Sequence, residues 1–292
     1  MAHGDDQGRG LARSRPLLVA LCLVSCLASG ERGAIADVPA GGYKIRYAAK
    51  TEIGSASSGN ADYFALVEDE QSFVVANGSG AAGPAASKRA AEAFHAFYAM
   101  TSDPDATWPH PFDTSLSYIE NRLVAGLQWA NTQLHAAPRE RATAVAAVIS
   151  GARLTVGHVG NERAYLIRGD QIRQLTQDHT MLEEFRRDHP AATQDELDRL
   201  PRKAVPTRAL GRRPSVAVDV ATIDVIADDR IVLCSEGLTA ALDDDEILDI
   251  VRARGLEIAD MEATVAALVH RAGQVGSSDV TVMLLGLVAR QP

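Results

Sequence analysis

Cysteine is nearly absent from this 292-residue sequence: of three, Cys22 and Cys26 fall within the first thirty residues and only Cys234 lies beyond them. The body of the chain therefore has no disulfide framework and must hold itself together with an apolar core. A lone thiol closing the apolar run "RIVLC" reads as core packing rather than as a nucleophile. Basic charge is also short, with 29 Lys and Arg against 38 Asp and Glu and a formal net charge of −9. Nonspecific nucleic-acid binding needs a basic footprint that releases counterions, so nucleic acid is excluded as an expected partner. No apolar run reaches the roughly 20 residues that span a bilayer, and no repeat or low-complexity tract is present.

What is present begins with a leader. Arg9, Arg13 and Arg15 precede a short apolar run over 17–28, followed by small and polar residues, which is the layout of an export signal. Leu23-Val24-Ser25-Cys26 resembles a bacterial lipobox, in which Cys26 would be lipidated and anchor the protein to a membrane. Ala34-Ile35-Ala36 offers ordinary cleavage and secretion instead, and a start assigned too far upstream would leave the protein cytoplasmic. Residues 1–36 are expected to be this signal, 37–42 a linker within a Gly/Ala/Pro stretch, and 43–292 one domain.

Within that domain, period-two alternation or wholly apolar runs predict strands over 43–49, 63–68, 72–76, 144–150, 153–159, 163–167, 216–225, 230–234 and 280–288. Helical spacing links Ala90, Phe94, Phe97 and Tyr98, and again Leu116, Ile119, Leu123, Leu127, Ala130 and Leu134. Ser117 and Glu120 fit a capping box, and the acidic run 243–246 fits a capped, dipole-matched helix start better than a metal site. Strands, two helices, then a long run of strands predict an α+β fold with two antiparallel sheets and helices on their outer faces.

Three stretches carry a resemblance. "LTVGHVGNERAYLIRGDQIRQLTQDHT" (154–180), "TRALG" (207–211) and "DDRIVLCSEGLTAALDDDEI" (228–247) resemble the metal-dependent protein phosphatase (PPM) family, the type 2C Ser/Thr phosphatases, in bacterial form. The order and spacing run from about Ile45 to Val288. The resemblance implies a four-layer α/β/β/α sandwich, with acidic side chains between the sheets holding two Mg or Mn ions whose bridging water attacks a phosphoserine or phosphothreonine ester. Such chemistry needs carboxylates, because hard cations take oxygen ligands and two close dications need several negative charges to offset them.

The acids are where this sequence departs. Asn77-Gly78 in "FVVANGSGAAG" stands where the family has Asp-Gly, so a neutral amide takes the bridging position. In "GSASSGNAD" (54–62), Asp62 is kept, Ala61 replaces an acid, and Ser57 stands where an arginine would clamp phosphate. Asn161 replaces an aspartate, and Glu236 replaces another with a longer arm. "GSSDVTVML" is one residue short. Counting back from Thr281 puts Ser278 in the metal position, whereas counting forward from Gly276 puts Asp279 there, and strand register favours the first. His179 in "TQDHT" is expected to bond within a loop.

Turn and packing residues survive while metal-site charge is lost, so the expected function is that of a pseudophosphatase that binds a protein partner or ligand. One alternative is an active phosphatase with a reduced site of Asp62, Glu236 and Asp279 around residual Mg or Mn. Another is a cation-stabilised envelope protein. The mixed-charge segment 181–213, with Arg186, Arg187, Arg202 and Lys203, either overhangs the groove, as such inserts do in the resembling family, or forms a solvated surface helix pair.

Overall fold

The computed structural model describes residues 38–289 apart from 41–42, 104–105, 109, 138 and 277; the leader with Cys26 lies outside the described residues. Strand alternation here has an unusual outcome, because both faces of most strands are apolar and both are covered. In the strand Ser72–Gly78 (β4), Phe73 and Val75 point into a core between two sheets, while Val74 and Ala76 point into a second core against helices. The strand Arg230–Cys234 (β10) repeats this: Ile231 and Leu233 face the inter-sheet core, and Val232 and Cys234 face helices on the other side.

The result is four layers. One sheet, wholly antiparallel, has the order β1-β2-β11-β10-β7-β8, where β1 is Val38–Ala40, β2 Tyr43–Glu52, β7 Arg163–Arg168, β8 Gln171–Gln174 and β11 Val280–Ala289. The other, also antiparallel, has the order β3-β4-β5-β6-β9, with β3 Asp62–Val67, β5 Ala142–Ser150, β6 Arg153–Val159 and β9 Asp219–Asp224. Helices α1 (Gly83–Met100) and α2 (Tyr118–His135) cover the second sheet. Small residues let them approach closely: Ala144 and Ala146 face them from β5, and a Cβ on Gly157 would sit 2.0 Å from a Leu123 methyl. The first sheet is covered by α5 (Glu236–Ala241), α6 (Asp244–Arg252) and α7 (Ile258–Val275).

Both expected helix starts are built as their sequences imply. Ser117 and Glu120 form a reciprocal capping box, and Asp243 does the same with Glu246. The predicted strand over 216–225 begins only at Asp219, because its partner β6 runs out there: His158 pairs with Asp219, and the chain turns at Gly160. The strand β8 is short and polar, which is why no alternation announced it. Segment 181–213 carries two short helices, α3 (Met181–Asp188) and α4 (Gln194–Asp198), each capped by a threonine.

Candidate functional site

Cross-strand register builds one end of the sandwich. Asp62 pairs with Asn77, and Asn77 with Thr143, so the three form a row across β3, β4 and β5. They share the parity of Phe64, Val75 and Val145, which places the row on the inter-sheet face. Asn161 and Glu162 follow at the crossing from β6 to β7, and therefore from one sheet to the other. From the opposite sheet, Ser235 and Glu236 lie just past β10, and Asp279 just before β11. Gly78 allows the chain to turn away here, since a Cβ would lie 1.9 Å from the Gly83 carbonyl oxygen.

Each expected site residue has a definite place. Asn77, Gly78, Asn161 and Glu236 line a groove of about 780 Å³. Asp279 does not face it as a free acid: one carboxylate oxygen accepts from the Gly54 N–H and the other from the Ala61 N–H, both at 2.7 Å. It thereby ties the 54–61 loop to the start of β11, and Asn60 adds a second tie through Thr51 at 2.8 Å. Ser278 is exposed beside it, and Ser57 sits in a turn closed by its N–H to the Gly54 carbonyl.

The remaining acids are unusual. Asp62 is 3% exposed and Glu162 wholly buried; no close hydrogen bond reaches either carboxyl, and only the Ser235 and Thr281 hydroxyls at Asp62 and the Thr143 hydroxyl at Glu162 stand near enough to act on them. Burial pushes the Asp62 carboxyl up to about 7; the Ser235 and Thr281 hydroxyls oppose this, and the charges of Asp279 and Glu236 add to it. Burial likewise pushes Glu162 up to about 8, with Thr143 opposing and Asp62 and Glu236 adding. Glu236 is also raised by burial, against the pull of Arg163. Glu162 is absent from the expected site, although an acid directly after the neutral Asn161 was the signal for it.

The groove's far wall is cationic, with Arg141, Arg202, Lys203 and Arg212 lining it. Arg141 donates to the Glu140 carbonyl and Arg212 to the Thr207 carbonyl, so neither guanidinium is spent on a carboxylate. Only part of the basic set expected from the insert is there. Arg186 pairs with Glu183 at 2.6 Å and Arg187 with Asp188 at 3.4 Å, and neither lines the groove.

A second titratable cluster lies nearby. The His158 and His179 rings stack at 4.4 Å and 18°. His179 Nδ1 accepts from the Gly160 N–H at 3.1 Å, while its Nε2 faces Asp219 at 3.1 Å. His158 Nε2 bonds the Gln177 carbonyl at 2.7 Å. Arg208 sits against both His179 and Asp219. The guanidinium pairs the Asp219 charge that an ion at His158, His179 and Asp219 would use, so these groups lock a turn.

Comparison with known proteins agrees with this architecture. The family model described as protein phosphatase 2C matches residues 74–281. A serine/threonine phosphatase stp from Listeria welshimeri is 31% identical over 144 residues; the chain spans about half the length of this relative, 55% of it, using 49% of its own. A protein phosphatase PhpP from Streptococcus pneumoniae is 25% identical over 249 residues, 81% of this chain and 95% of that one. Among solved structures, the catalytic domain of the serine/threonine protein phosphatase PstP, in complex with two manganese ions, superposes with a TM-score of 0.66. That likeness, at 24% identity over 84% of this chain and 98% of that one, is one of fold.

Proposed function

This chain belongs to the protein phosphatase 2C family, and on that premise we propose that it is a pseudophosphatase, which grips a phosphorylated protein in the groove without turning it over. In relatives of this kind, a bound pair of divalent cations supplies a water acidic enough to attack a phosphate ester. The observation that carries the reading is the state of the acids. Asn77 is neutral at the bridging position, Ala61 is a methyl, and both Asp279 oxygens already accept backbone N–H groups. Two dications brought close together would find too few negative charges to offset them. The residues present do not fit the pair.

Binding is supported separately. Arg141, Arg202, Lys203 and Arg212 give a cationic wall in a chain of net charge −9, which favours an anionic segment and steers its approach. Without an arginine at Ser57, the phosphate is held from the groove wall and not from the reacting side. The leader adds a location: lipidation at Cys26 would set the domain outside the cytoplasm on a membrane, and labelling with a fatty-acid analogue checks it.

The test pairs binding with turnover. A phosphothreonine peptide is expected to bind at least about tenfold more tightly than its unphosphorylated form, a difference of about 1.4 kcal/mol, while releasing no phosphate above buffer in manganese. Phosphate release that rises in proportion to manganese would instead establish an active enzyme with a reduced site.

A further inference from the structure

The neutral side chains at the mouth of the sandwich are losses only from the standpoint of a metal. Cross-strand pairing carries the row of Asn77 and Thr143 one step further out: the Ser79 N–H donates to the Arg141 carbonyl at 3.0 Å, so Arg141 stands opposite Ser79 as Thr143 stands opposite Asn77. Arg141 thus shares the face of Thr143, about 7 Å further along. Asn161 closes on the same place from the crossing between β6 and β7, where Gly160 packs so tightly that a Cβ would lie 2.2 Å from the Thr143 methyl. Three side chains able to donate therefore border one stretch of the groove. They are uncommitted. Neither the Asn77 nor the Asn161 side-chain amide has a partner among the described residues. Glu140, the acid next to Arg141, is taken by Arg89 through two nitrogens at 2.6 and 3.3 Å, so the Arg141 guanidinium keeps only a carbonyl contact among the described residues. Of Asp62, Glu162, Glu236 and Asp279, Glu236 alone lines the groove.

We propose that Arg141, Asn77 and Asn161 hold the phosphate of a phosphorylated peptide without any metal ion, the guanidinium supplying the charge and the two amides turning their N–H groups towards the phosphate oxygens. This rests on the reading of the groove as a phosphoprotein site and adds which groups recognise the phosphate. A carboxylate at 77 or 161 with no cation beside it would repel a dianion at close range, whereas an amide removes that charge and brings two donors. Arg141 brings the charge, and charge-assisted bonds from a guanidinium fork are the stronger kind. The Ser57 side adds nothing to the grip. The substitutions that unfit this end for two dications fit it for the anion directly.

Fluorescence anisotropy of a labelled phosphothreonine peptide on the full chain tests this, in chelator and again in manganese. The two affinities are expected to agree within about twofold. Arg141→Met should weaken binding at least about tenfold, with Arg141→Lys restoring part of it. Arg212→Met removes the same charge from the same wall and should weaken it no more than about threefold. Asn77→Asp is the sharpest variant: it returns an acid to the bridging position, yet in chelator it should weaken binding about tenfold. Asn77→Ala takes away the donors and adds no charge; it should weaken binding about threefold, and it stands in if the aspartate variant does not fold. Binding that requires manganese overturns the inference, as does parent-like affinity in Arg141→Met or in folded Asn77→Asp, or an equal loss from Arg141→Met and Arg212→Met; each of these leaves the pseudophosphatase reading in place. Phosphate release in proportion to manganese sinks that reading, while binding that persists in chelator keeps the metal-free grip. A peptide bound equally with and without its phosphate sinks both.

Discussion

Two buried polar clusters lie at the same end of this molecule and are finished in opposite ways. Around His179, nitrogens meet a carbonyl, an amide N–H, a carboxylate or a guanidinium, so the cluster closes on itself. Around Glu162 the acids raise one another's pKa, with only the Thr143, Ser235 and Thr281 hydroxyls to offset them. Both are rich in titratable groups, and only the first pairs them with opposite charge. What separates the two is the pairing of opposite charges, which residue type alone does not reveal: two histidines and an aspartate look like a metal site in sequence, yet an arginine completes them.

That contrast can be broken first with acid. Burial, and then His179, depress the His158 pKa to about 4. A histidine that folding holds neutral contributes stability that is fully present above its unfolded pKa and is lost as pH falls through the folded value. For His158 the window runs from about 6.5 down to about 4 and is worth roughly 3 kcal/mol. Urea midpoints for the parent and His158→Gln should diverge near neutrality and converge near pH 4, on the order of the lower bound of that window. Parallel pH curves would mean that folding leaves the His158 pKa at its unfolded value.

A smaller effect is expected from Arg208→Met. Asp219 and His179 lose their shared guanidinium, but Asp219 is half exposed and water replaces part of the loss, leaving a cost of about 1 kcal/mol. Chemical denaturation at neutral pH reads it. If the cost is several-fold larger, the closed cluster is more tightly coupled than its exposure indicates. The smallest effect on stability, within about 0.5 kcal/mol, should come from Ser57→Arg at the open end. There the gain is functional: a restored clamp should tighten phosphothreonine-peptide binding by about tenfold, by analogy with bidentate phosphate contacts. Unchanged affinity would put the bound phosphate out of reach of the 54–57 turn.

How much of this the sequence disclosed depended on range. Capping boxes at Ser117 and Asp243 were legible because they are written within four residues. The two-sheet architecture was legible because both cores print their alternation on the same strands, as Val74 and Val75 do. The loss of charge at Asn77 and Asn161 was legible position by position. The fate of Asp279 was not, since the amides that occupy it are more than two hundred residues away in sequence. Glu162 was passed over because motif reading compares a residue with its own slot, and the slot compared was that of Asn161. Arg141 was missed because it joins the groove wall only when β5 is laid beside the 181–213 insert. Arg186 and Arg187, on α3 with Glu183 and Asp188, lie outside that wall, whereas Lys203 lines it even while paired with Asp198 at 3.3 Å.

The sheet margins carry a consequence for aggregation. The strand β9 is an edge of its sheet, with exposed Asp219 and Asp224 at its two ends. Asp219 is already bound to Arg208, and the Thr222 hydroxyl to Glu120 of α2. A foreign strand docking there would have to strip water from both aspartates and break those two bonds, for a ladder only six residues long. At the margin of the other sheet, β8 offers four residues, with exposed Gln171 and Arg173 among them. A chain with this much apolar strand in its interior thus presents short, charged templates at these two borders, and a variant that lengthened or neutralised β9 would be the one to watch for fibrils.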